Sequence, residues 1–183
     1  MISKFDIHNI KISVKLQTPY NSYFERNSRQ IRTIKFKNSL NFFILHHKYT
    51  YVFFKTFHTI VHCNITKIKK YNDIYRAKRT LKEIFPDISI ISTTVDNICA
   101  TRRTKIKINL DNLFKKLISS RSNLYKVNYN TQKFPGMFVK FLGFPIIGTI
   151  IIFKSGNINY VGIKSPNNFI EIYKYINEWI YNV

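Results

Sequence analysis

The chain has 183 residues, of which 30 are Lys or Arg and 9 are Asp or Glu, giving a formal net charge of +21. This imbalance favours a polyanionic partner, such as nucleic acid, an anionic membrane or an acidic protein. There is no apolar run of about 18 residues, so no membrane-spanning helix is expected. Two cysteines, Cys63 and Cys99, are too few for a disulfide framework, which indicates a reducing compartment.

Nothing in the sequence is typical of an active site. The 9 acidic residues are scattered, and no glycine-rich phosphate-binding loop is present. The histidines and cysteines at residues 46, 47, 58, 62 and 63 match no standard zinc spacing. We therefore expect a protein that is not an enzyme and that binds no metal or cofactor.

The first half of the chain is predicted to contain several strands followed by a helix. Runs of alternating or β-branched residues predict strands at residues 5–16, 34–45, 49–54 and 59–65. Residues 67–85 place their apolar side chains on one helical face, and Pro86 ends this helix. Residues 17–32 are polar and leave room for a short helix.

The same pattern recurs in the second half. Strand-like runs occur at residues 88–94, 97–101, 138–141, 149–153 and 157–163. Asn109 is placed to cap the N-terminus of a helix that runs to about Ile118. Ser155 and Gly156 form the turn of the last hairpin, and Pro166 begins the last helix.

The two halves are therefore predicted to be α+β repeats. Asn9 recurs as Asn97 and Phe54 as Phe153, a spacing of roughly 90 to 100 residues that is too long for a solenoid unit. We expect two pseudo-symmetric repeats, residues 1–86 and 87–183. Duplex DNA is a pseudo-symmetric polyanion, and a basic protein of this kind can bind it.

Three motifs resemble the conserved core of the TATA-binding protein family. They are Tyr-Asn-x-x-Lys-Phe-Pro-Gly at 129–136, Ile-Phe-x-Ser-Gly at 152–156 and Tyr-Val-Gly-Ile-Lys-Ser at 160–165. The family's Gln-Asn-Ile-Val is met at residues 8–11 and 96–99. The likeness covers the whole chain, specifically in the second half and faintly in the first. It implies a saddle, a curved antiparallel sheet of about ten strands with four helices on its convex side and DNA on its concave face.

The resemblance also implies DNA-binding roles for individual residues. Phenylalanines that wedge between base steps would be Phe36, Phe54, Phe134 and Phe153, with Phe42 as a rival to Phe36. Asparagines that donate to base edges would be Asn9 and Asn97. Apolar or equivalent positions on the concave face would be Val52, Ile151, Val161 and Asn159, the last in place of a valine. Phosphate-contacting and turn residues would be Lys140, Lys164, Pro135 and Ser155.

The chemistry of the minor groove agrees with these roles. At A·T pairs the groove offers only acceptors, so it rewards shape, apolar contact and a few donors. Aromatic wedges unstack base steps and allow a bent duplex to cover more protein, and flexible TA steps yield most easily. Lysines add salt-dependent affinity that is blind to sequence.

The first repeat departs from the family pattern. Lys11 replaces a valine, as Cys99 does in the second repeat, and the Gly-Ala-Lys that follows the first hairpin turn is lost. Two alignments remain open at this point. Residues 60 and 62, Ile and His, face the DNA in one alignment, and residues 61 and 63, Val and Cys, face it in the other.

We therefore predict a general transcription initiation factor that bends AT-rich promoter DNA and nucleates a preinitiation complex. The expected partners are a transcription factor IIB-like protein and an RNA polymerase, with a monomer on DNA and no membrane. The AT-rich composition favours a large DNA virus or a reduced parasite, hence a nucleus, a viral factory or a virion. The alternative is a regulator, or a non-specific basic DNA- or RNA-binding protein, that kept the saddle but lost TATA specificity.

Overall fold

The computed structural model describes residues 5–20, 23, 32–36, 39–45, 48–55, 59–143 and 146–181, with only the backbone described at 32–36, 39–45 and 55. These residues form strands and helices in the following order. The strands are β1 (Asp6–Gln17), β2 (Arg32–Phe36), β3 (Ser39–Leu45), β4 (Thr50–Lys55), β5 (Ile60–Ile68), β6 (Ser89–Arg103), β7 (Tyr125–Asn128), β8 (Gly136–Gly143), β9 (Ile146–Phe153) and β10 (Asn157–Ile163). The helices are α1 (Asp73–Ile84), α2 (Leu110–Ser119) and α3 (Pro166–Tyr181).

The strands belong to one sheet of ten, in the order β2-β3-β4-β5-β1-β6-β10-β9-β8-β7. The chain divides into two compact units, Asn9–Asp96 and Met1–His8 with Asn97–Val183. We name them the N-terminal unit and the C-terminal unit. The fold class is α+β, as predicted. The division of the sequence at residues 86 and 87 concerns its internal repetition, and it stays a prediction.

In the C-terminal unit, α3 covers one face of the sheet. The side chains of Ile150, Ile152 and Tyr160 are at most 1% exposed on this face. Trp179 of α3 stacks on Phe141, with ring centroids 6.1 Å apart and an interplanar angle of 6°. The residue-to-residue alternation of the strands therefore separates a buried face from a second face that α3 does not cover.

In the N-terminal unit, α1 packs on the sheet in the same way. Tyr51 and Phe53 of β4 are fully buried. The Tyr51 hydroxyl donates a hydrogen bond to the carbonyl oxygen of Ala77 in α1, at 3.0 Å. Phe53 meets Phe85 edge-on, with ring centroids 5.8 Å apart. The buried face of each unit is thus defined by a long helix.

Several predicted elements are confirmed. Asn109 caps α2, because its Oδ1 accepts a hydrogen bond from the backbone N–H of Asn112 at 3.1 Å. Pro166 begins α3, and the hairpin around Ser155-Gly156 joins β9 and β10. The predicted fourth helix and the Gly143–Pro145 turn lie largely outside the described residues.

One helix boundary was wrong. The sequence predicted a helix from residue 67, but α1 begins at Asp73 and Lys67 belongs to β5. Lys67 has a φ of 65°, a left-handed conformation that does not continue into a helix. The short strand β7 was not predicted from its four residues. Among the described residues, no helix is long and apolar enough to cross a membrane.

Candidate nucleic-acid interface

The uncovered face of the sheet carries most of the predicted site. In the C-terminal unit we define its open face by the residues that alternate with the buried ones. These are Cys99, Thr101, Phe138, Lys140, Thr149, Ile151, Phe153, Asn159 and Val161, none of which is buried. In the N-terminal unit the open face is defined likewise by Asn9, Lys11, Ser13, Val52, Phe54, His62, Asn64 and Thr66.

At one end of the C-terminal open face lie two of the predicted wedges. The rings of Phe134 and Phe153 have centroids 5.9 Å apart, and Phe134 also meets Phe138 at 5.0 Å. Both rings lie over Gly136, where a Cβ atom would stand 2.8 Å from Phe134 Cε1 and 3.0 Å from Phe153 Cε1. Glycine at this position therefore makes room for the two rings to lie side by side.

The loop around Phe134 is ordered by its own backbone. The N–H of Phe134 donates to the carbonyl oxygen of Asn130 at 3.0 Å, so the chain turns just before Pro135. Phe134 remains 36% exposed despite its neighbours. Two large apolar rings thus stand at the rim of the sheet with their outer edges accessible.

The flanking predicted residues are at the surface of the same unit. Lys140, on β8, is exposed and pairs in register with Thr149. Lys164 is exposed just beyond the end of β10. Pro135 and Ser155 lie in exposed turns beside Phe134 and Phe153, where the Ser155 hydroxyl accepts from the N–H of Asn157 at 3.4 Å.

Asn97 sits at an irregularity in the pairing of β6 with β10. Its Oδ1 accepts a hydrogen bond from the N–H of Gly162 at 2.7 Å, and Gly162 has a φ of 74°. The amide nitrogen of Asn97 lies 3.3 Å from Cys99 Sγ, a weak acceptor. Because the carbonyl oxygen is occupied, the amide group offers its N–H donors to a partner.

The N-terminal unit contains the same hydrogen bond between an asparagine side chain and a left-handed residue. Asn9 Oδ1 accepts from the backbone N–H of Lys67 at 2.7 Å, and Lys67 has a φ of 65°. The pairing of β1 with β5 is irregular at this point, as the pairing of β10 with β6 is near Gly162. Lys67 therefore stands where Gly162 stands in the other unit.

This equivalence corrects the sequence alignment of the first repeat. The Gly-Ala-Lys position is not lost. It is filled by Lys67-Ile68-Lys69 and does not lie near residues 63–65. The signal in the sequence was the pattern Asn-x-x-x-Ile-Lys, which occurs at residues 64–69 and again at 159–164. An insertion in the first hairpin shifted the spacing and concealed it.

The same register identifies a site residue that the sequence reasoning missed. Across three strands, Ile151 pairs with Asn159 and Asn159 with Thr101. In the N-terminal unit Val52 pairs with Asn64, and Asn64 with Ser13. Asn64 is therefore the counterpart of Asn159, and both units carry an asparagine at the centre of the open face.

The structure decides between the two alignments that the sequence left open for residues 60–63. His62 is exposed and Ile60 is half-buried, whereas Val61 is 7% exposed and Cys63 is completely buried. Residues 60 and 62 therefore belong to the open face. Burial also raises the pKa of the Cys63 thiol.

The wedges of the first repeat are partly described. Phe54 is 36% exposed at the end of β4. In the backbone register Phe36 pairs with Ser39, two residues from Asn41, and Asn41 pairs with Phe54. Phe42 pairs instead with Phe53, which is buried. The side chains of Phe36 and Phe42 lie outside the described part of the structure, so the choice between these two wedges stays a prediction.

Clusters of metal-ligating side chains and displaced pKa values are both informative about the chemistry of the described residues. No group of three or more His, Cys, Asp or Glu residues among them could hold a metal ion. The displaced pKa values belong mainly to core groups, since burial raises the pKa of Tyr51 and of Tyr160. The chemistry that this face presents consists of apolar rings, amide donors and lysine cations.

Comparisons with known proteins bear on the fold and on the family of this chain. Among the solved structures that match, TBP of Methanococcus jannaschii superposes with a TM-score of 0.72 and 21% identity, over 98% of this chain and 99% of that chain. This likeness shows the fold. A comparison with curated proteins found no match. The family model for transcription factor TFIID (or TATA-binding protein, TBP) matches residues 92–183, half of the chain. The chain therefore belongs to the TATA-binding protein family.

Proposed function

We propose that this protein binds duplex DNA in the minor groove through its open faces and bends the duplex by inserting phenylalanine side chains. It belongs to a family of DNA-binding transcription factors. In this role it acts as a transcription initiation factor at AT-rich promoters. The proposed DNA binding and bending are each supported by a separate feature of the open faces.

The observation that carries the proposal is the pair of rings at the rim of the C-terminal open face. Phe134 and Phe153 lie side by side over Gly136 with their outer edges accessible. A pair of accessible rings contributes little to a core. It suits insertion between base pairs, where unstacking costs a few kcal/mol and the bent duplex gains contact area.

The centre of the face suits A·T pairs. Asn97 and Asn9 have their carbonyl oxygens engaged by backbone N–H groups and so present amide donors. A·T pairs show only acceptors in the minor groove, so such donors fit them. Apolar Ile151 and Val161 tolerate close contact with the sugar edges, and the +21 net charge supplies affinity for the phosphates.

The wider role follows from the family. We propose that the bent complex recruits a transcription factor IIB-like protein and an RNA polymerase, and that one copy of the chain occupies each site. The nucleus, or a viral factory or virion for a viral protein, is the proposed compartment. These assignments rest on the family and not on any particular contact.

The test is a bending measurement on a short duplex that contains TATAAA, labelled with a donor and an acceptor dye at its ends. We expect the wild type to increase energy transfer on this duplex but not on a GC-rich duplex of equal length. Phe134→Ala and Phe153→Ala remove the rings and should abolish the increase. Tyr75→Ala is the matched control, because Tyr75 is 70% exposed on α1 and away from the open face.

A second function is favoured by the polar centre of the open faces. Lys11, Asn64 and Asn159 bring charge and amides to positions beside the apolar residues. A face of this kind, with the high net charge, could bind nucleic acid without regard to sequence. Tight binding to both duplexes, with no change in energy transfer and no effect of either substitution, would establish that function and refute the bending mechanism.

A further inference from the structure

The open face of the N-terminal unit contains a carboxylate beside its central asparagine. Ser13 lies between Ile12 and Val14, which are completely buried, so its hydroxyl is on the open face. Asp96 Oδ2 lies 2.6 Å from Ser13 Oγ and 3.6 Å from Lys11 Nζ. The carboxylate therefore also reaches the open face, where its side chain keeps 31% of its surface exposed.

Asp96 fixes the direction of the hydrogen bond that the serine donates. Ser13 Oγ is 2.6 Å from Asp96 Oδ2 and 2.9 Å from Asn64 Oδ1, but a hydroxyl has only one proton. The shorter contact involves a charged acceptor and is the stronger of the two. The proton is thus committed to Asp96, and the Ser13 oxygen turns its lone pairs toward Asn64.

The amide of Asn64 must respond to this arrangement. Two oxygens facing each other with no proton between them repel, whereas a half-turn of the amide lets its Nδ2 donate to Ser13 Oγ. The same half-turn directs the carbonyl oxygen of Asn64 away from Ser13. Asn64 and Asp96 Oδ1, which has no partner among the described residues, then both present acceptors on the open face.

The equivalent place in the C-terminal unit lacks this constraint. Thr101 Oγ1 lies 3.3 Å from Asn159 Oδ1 and 2.6 Å from His8 Nε2. An imidazole nitrogen can donate or accept, so Thr101 remains able to donate to Asn159. In that state Asn159 keeps its amide N–H groups for a partner. When the His8 nitrogen donates to Thr101, the two units therefore present opposite hydrogen-bonding groups at matching positions.

We infer that Asp96, acting with Asn64, selects a G·C pair at one position of the bound site. In the minor groove only a G·C pair offers a donor, the exocyclic amino group of guanine. A carboxylate and a carbonyl oxygen attract that group and repel the acceptors of an A·T pair. The inference rests on the proposed minor-groove binding, and it makes the preferred site asymmetric.

The experiment is a selection of bound duplexes from a randomised library, run in parallel with wild type, Asp96→Asn and Asp111→Asn. Asp111→Asn removes the same charge from exposed α2 and so controls for the change in net charge. We expect the wild type and Asp111→Asn to enrich one G·C pair within an AT-rich site. Asp96→Asn should lose that pair and keep the rest.

Inosine then isolates the amino group. It differs from guanine in the minor groove only by lacking that donor, so inosine·C at the selected position should weaken wild-type binding by about tenfold. Binding of Asp96→Asn should be unchanged by the same replacement. Loss of affinity to the same extent in both proteins would overturn the inference.

A gain of function provides a second test that does not depend on the Asp96 variant. His8→Asp gives the C-terminal unit its own carboxylate, which commits the Thr101 proton as Asp96 commits that of Ser13. The selected site should then acquire a second G·C pair. A wild-type site made of A·T pairs alone would refute the inference and leave bending intact, whereas failure to retain any duplex would refute both proposals.

Discussion

Strand β9 carries three consecutive isoleucines that meet two different environments. Ile150 and Ile152 are completely buried against the helix side of the sheet, and Ile151 between them is half-buried on the open face. The same alternation separates Tyr51 and Phe53 from Val52 in β4. The same type of side chain therefore packs in the core at two positions of β9 and lies on the open face at the position between them.

An antiparallel sheet with one solvated face ordinarily carries polar residues there. The two open faces carry Ile151, Val161 and Phe54, and Phe134 lies at the rim of the C-terminal one. Val161, Phe54 and Phe134 are 36% to 38% exposed. The exposed apolar residues contribute little to folding, since the helices already cover the other face. They indicate a surface that is buried only when a partner binds.

The largest difference between the faces should appear when the neighbouring isoleucines are truncated. Ile152→Ala leaves a cavity in the core and should lower the free energy of unfolding by about 2 to 5 kcal/mol. Ile151→Ala should lower it by less than about 1 kcal/mol and weaken binding to an AT-rich duplex. Urea denaturation and a duplex titration measure the two effects. Equal losses of stability would contradict the division into faces.

The reactivity of the two cysteines tests the difference in accessibility between the buried face and the open face. Cys63 is completely buried and Cys99 is half-buried on the open face. Burial raises the pKa of the Cys63 thiol and so depletes the reactive thiolate. We expect a thiol reagent to modify Cys99 about a hundredfold or more faster than Cys63, which must wait for local opening. Mass spectrometry of timed samples, with Cys63→Ala and Cys99→Ala variants, assigns each rate.

Bound duplex should then slow the modification of Cys99 and leave that of Cys63 unchanged. A GC-rich duplex at the same concentration serves as the control for sequence-blind binding. Protection of Cys63 without protection of Cys99 would show that the duplex acts on stability and does not cover the open face.

Much of this arrangement could be predicted from the sequence, because β-branched alternation and capping residues act locally. The strands of the second repeat, the Asn109 cap and the Pro166 start are examples. The wedge residues came from a family resemblance. They could not be predicted from composition, since the chain has 16 phenylalanines. The face of the sheet on which each one lies depends on strand register.

The predictions that were wrong or incomplete concern residues whose place depends on strand register or on contacts between distant parts of the chain. The hairpin insertion shifted the alignment of β5, so Asn64 was missed and Lys67 was assigned to a helix. A left-handed lysine carries no local signal that distinguishes it from a helix residue. Only the hydrogen bond from its N–H to Asn9, 58 residues away, fixes its place.

Two buried tyrosines on the helix-covered faces test how much a hydrogen bond from the hydroxyl group contributes to stability. Tyr51 donates to the Ala77 carbonyl, whereas the Tyr160 hydroxyl has no hydrogen-bond partner among the described residues. Tyr51→Phe should lower the free energy of unfolding by about 1 kcal/mol, and Tyr160→Phe should leave it unchanged or raise it slightly. Thermal and urea unfolding measure both. A loss in Tyr160→Phe as large as in Tyr51→Phe would reveal a partner for that hydroxyl.

The last comparison concerns the two left-handed residues whose backbone N–H groups hold the asparagines on the open faces. Gly162 has a φ of 74°, and a Cβ added there would meet nothing within 4 Å, so Gly162→Ala adds backbone strain alone. It should lower stability by about 1 kcal/mol. Lys67→Gly relieves the same strain at a φ of 65°. It also gives the unfolded chain more freedom, so the net change should stay within about 0.5 kcal/mol.

Urea denaturation of the two variants beside wild type makes this comparison, and Lys69→Gly is the control for the loss of a lysine. If Lys67→Gly proved as destabilising as Gly162→Ala, the Lys67 side chain would have to contribute contacts that outweigh its backbone strain. The expected result instead implies that Lys67 persists for a reason other than stability. Lys67 is exposed and its backbone N–H bonds to Asn9 on the open face, so weaker duplex binding by a fully stable Lys67→Gly would identify that reason.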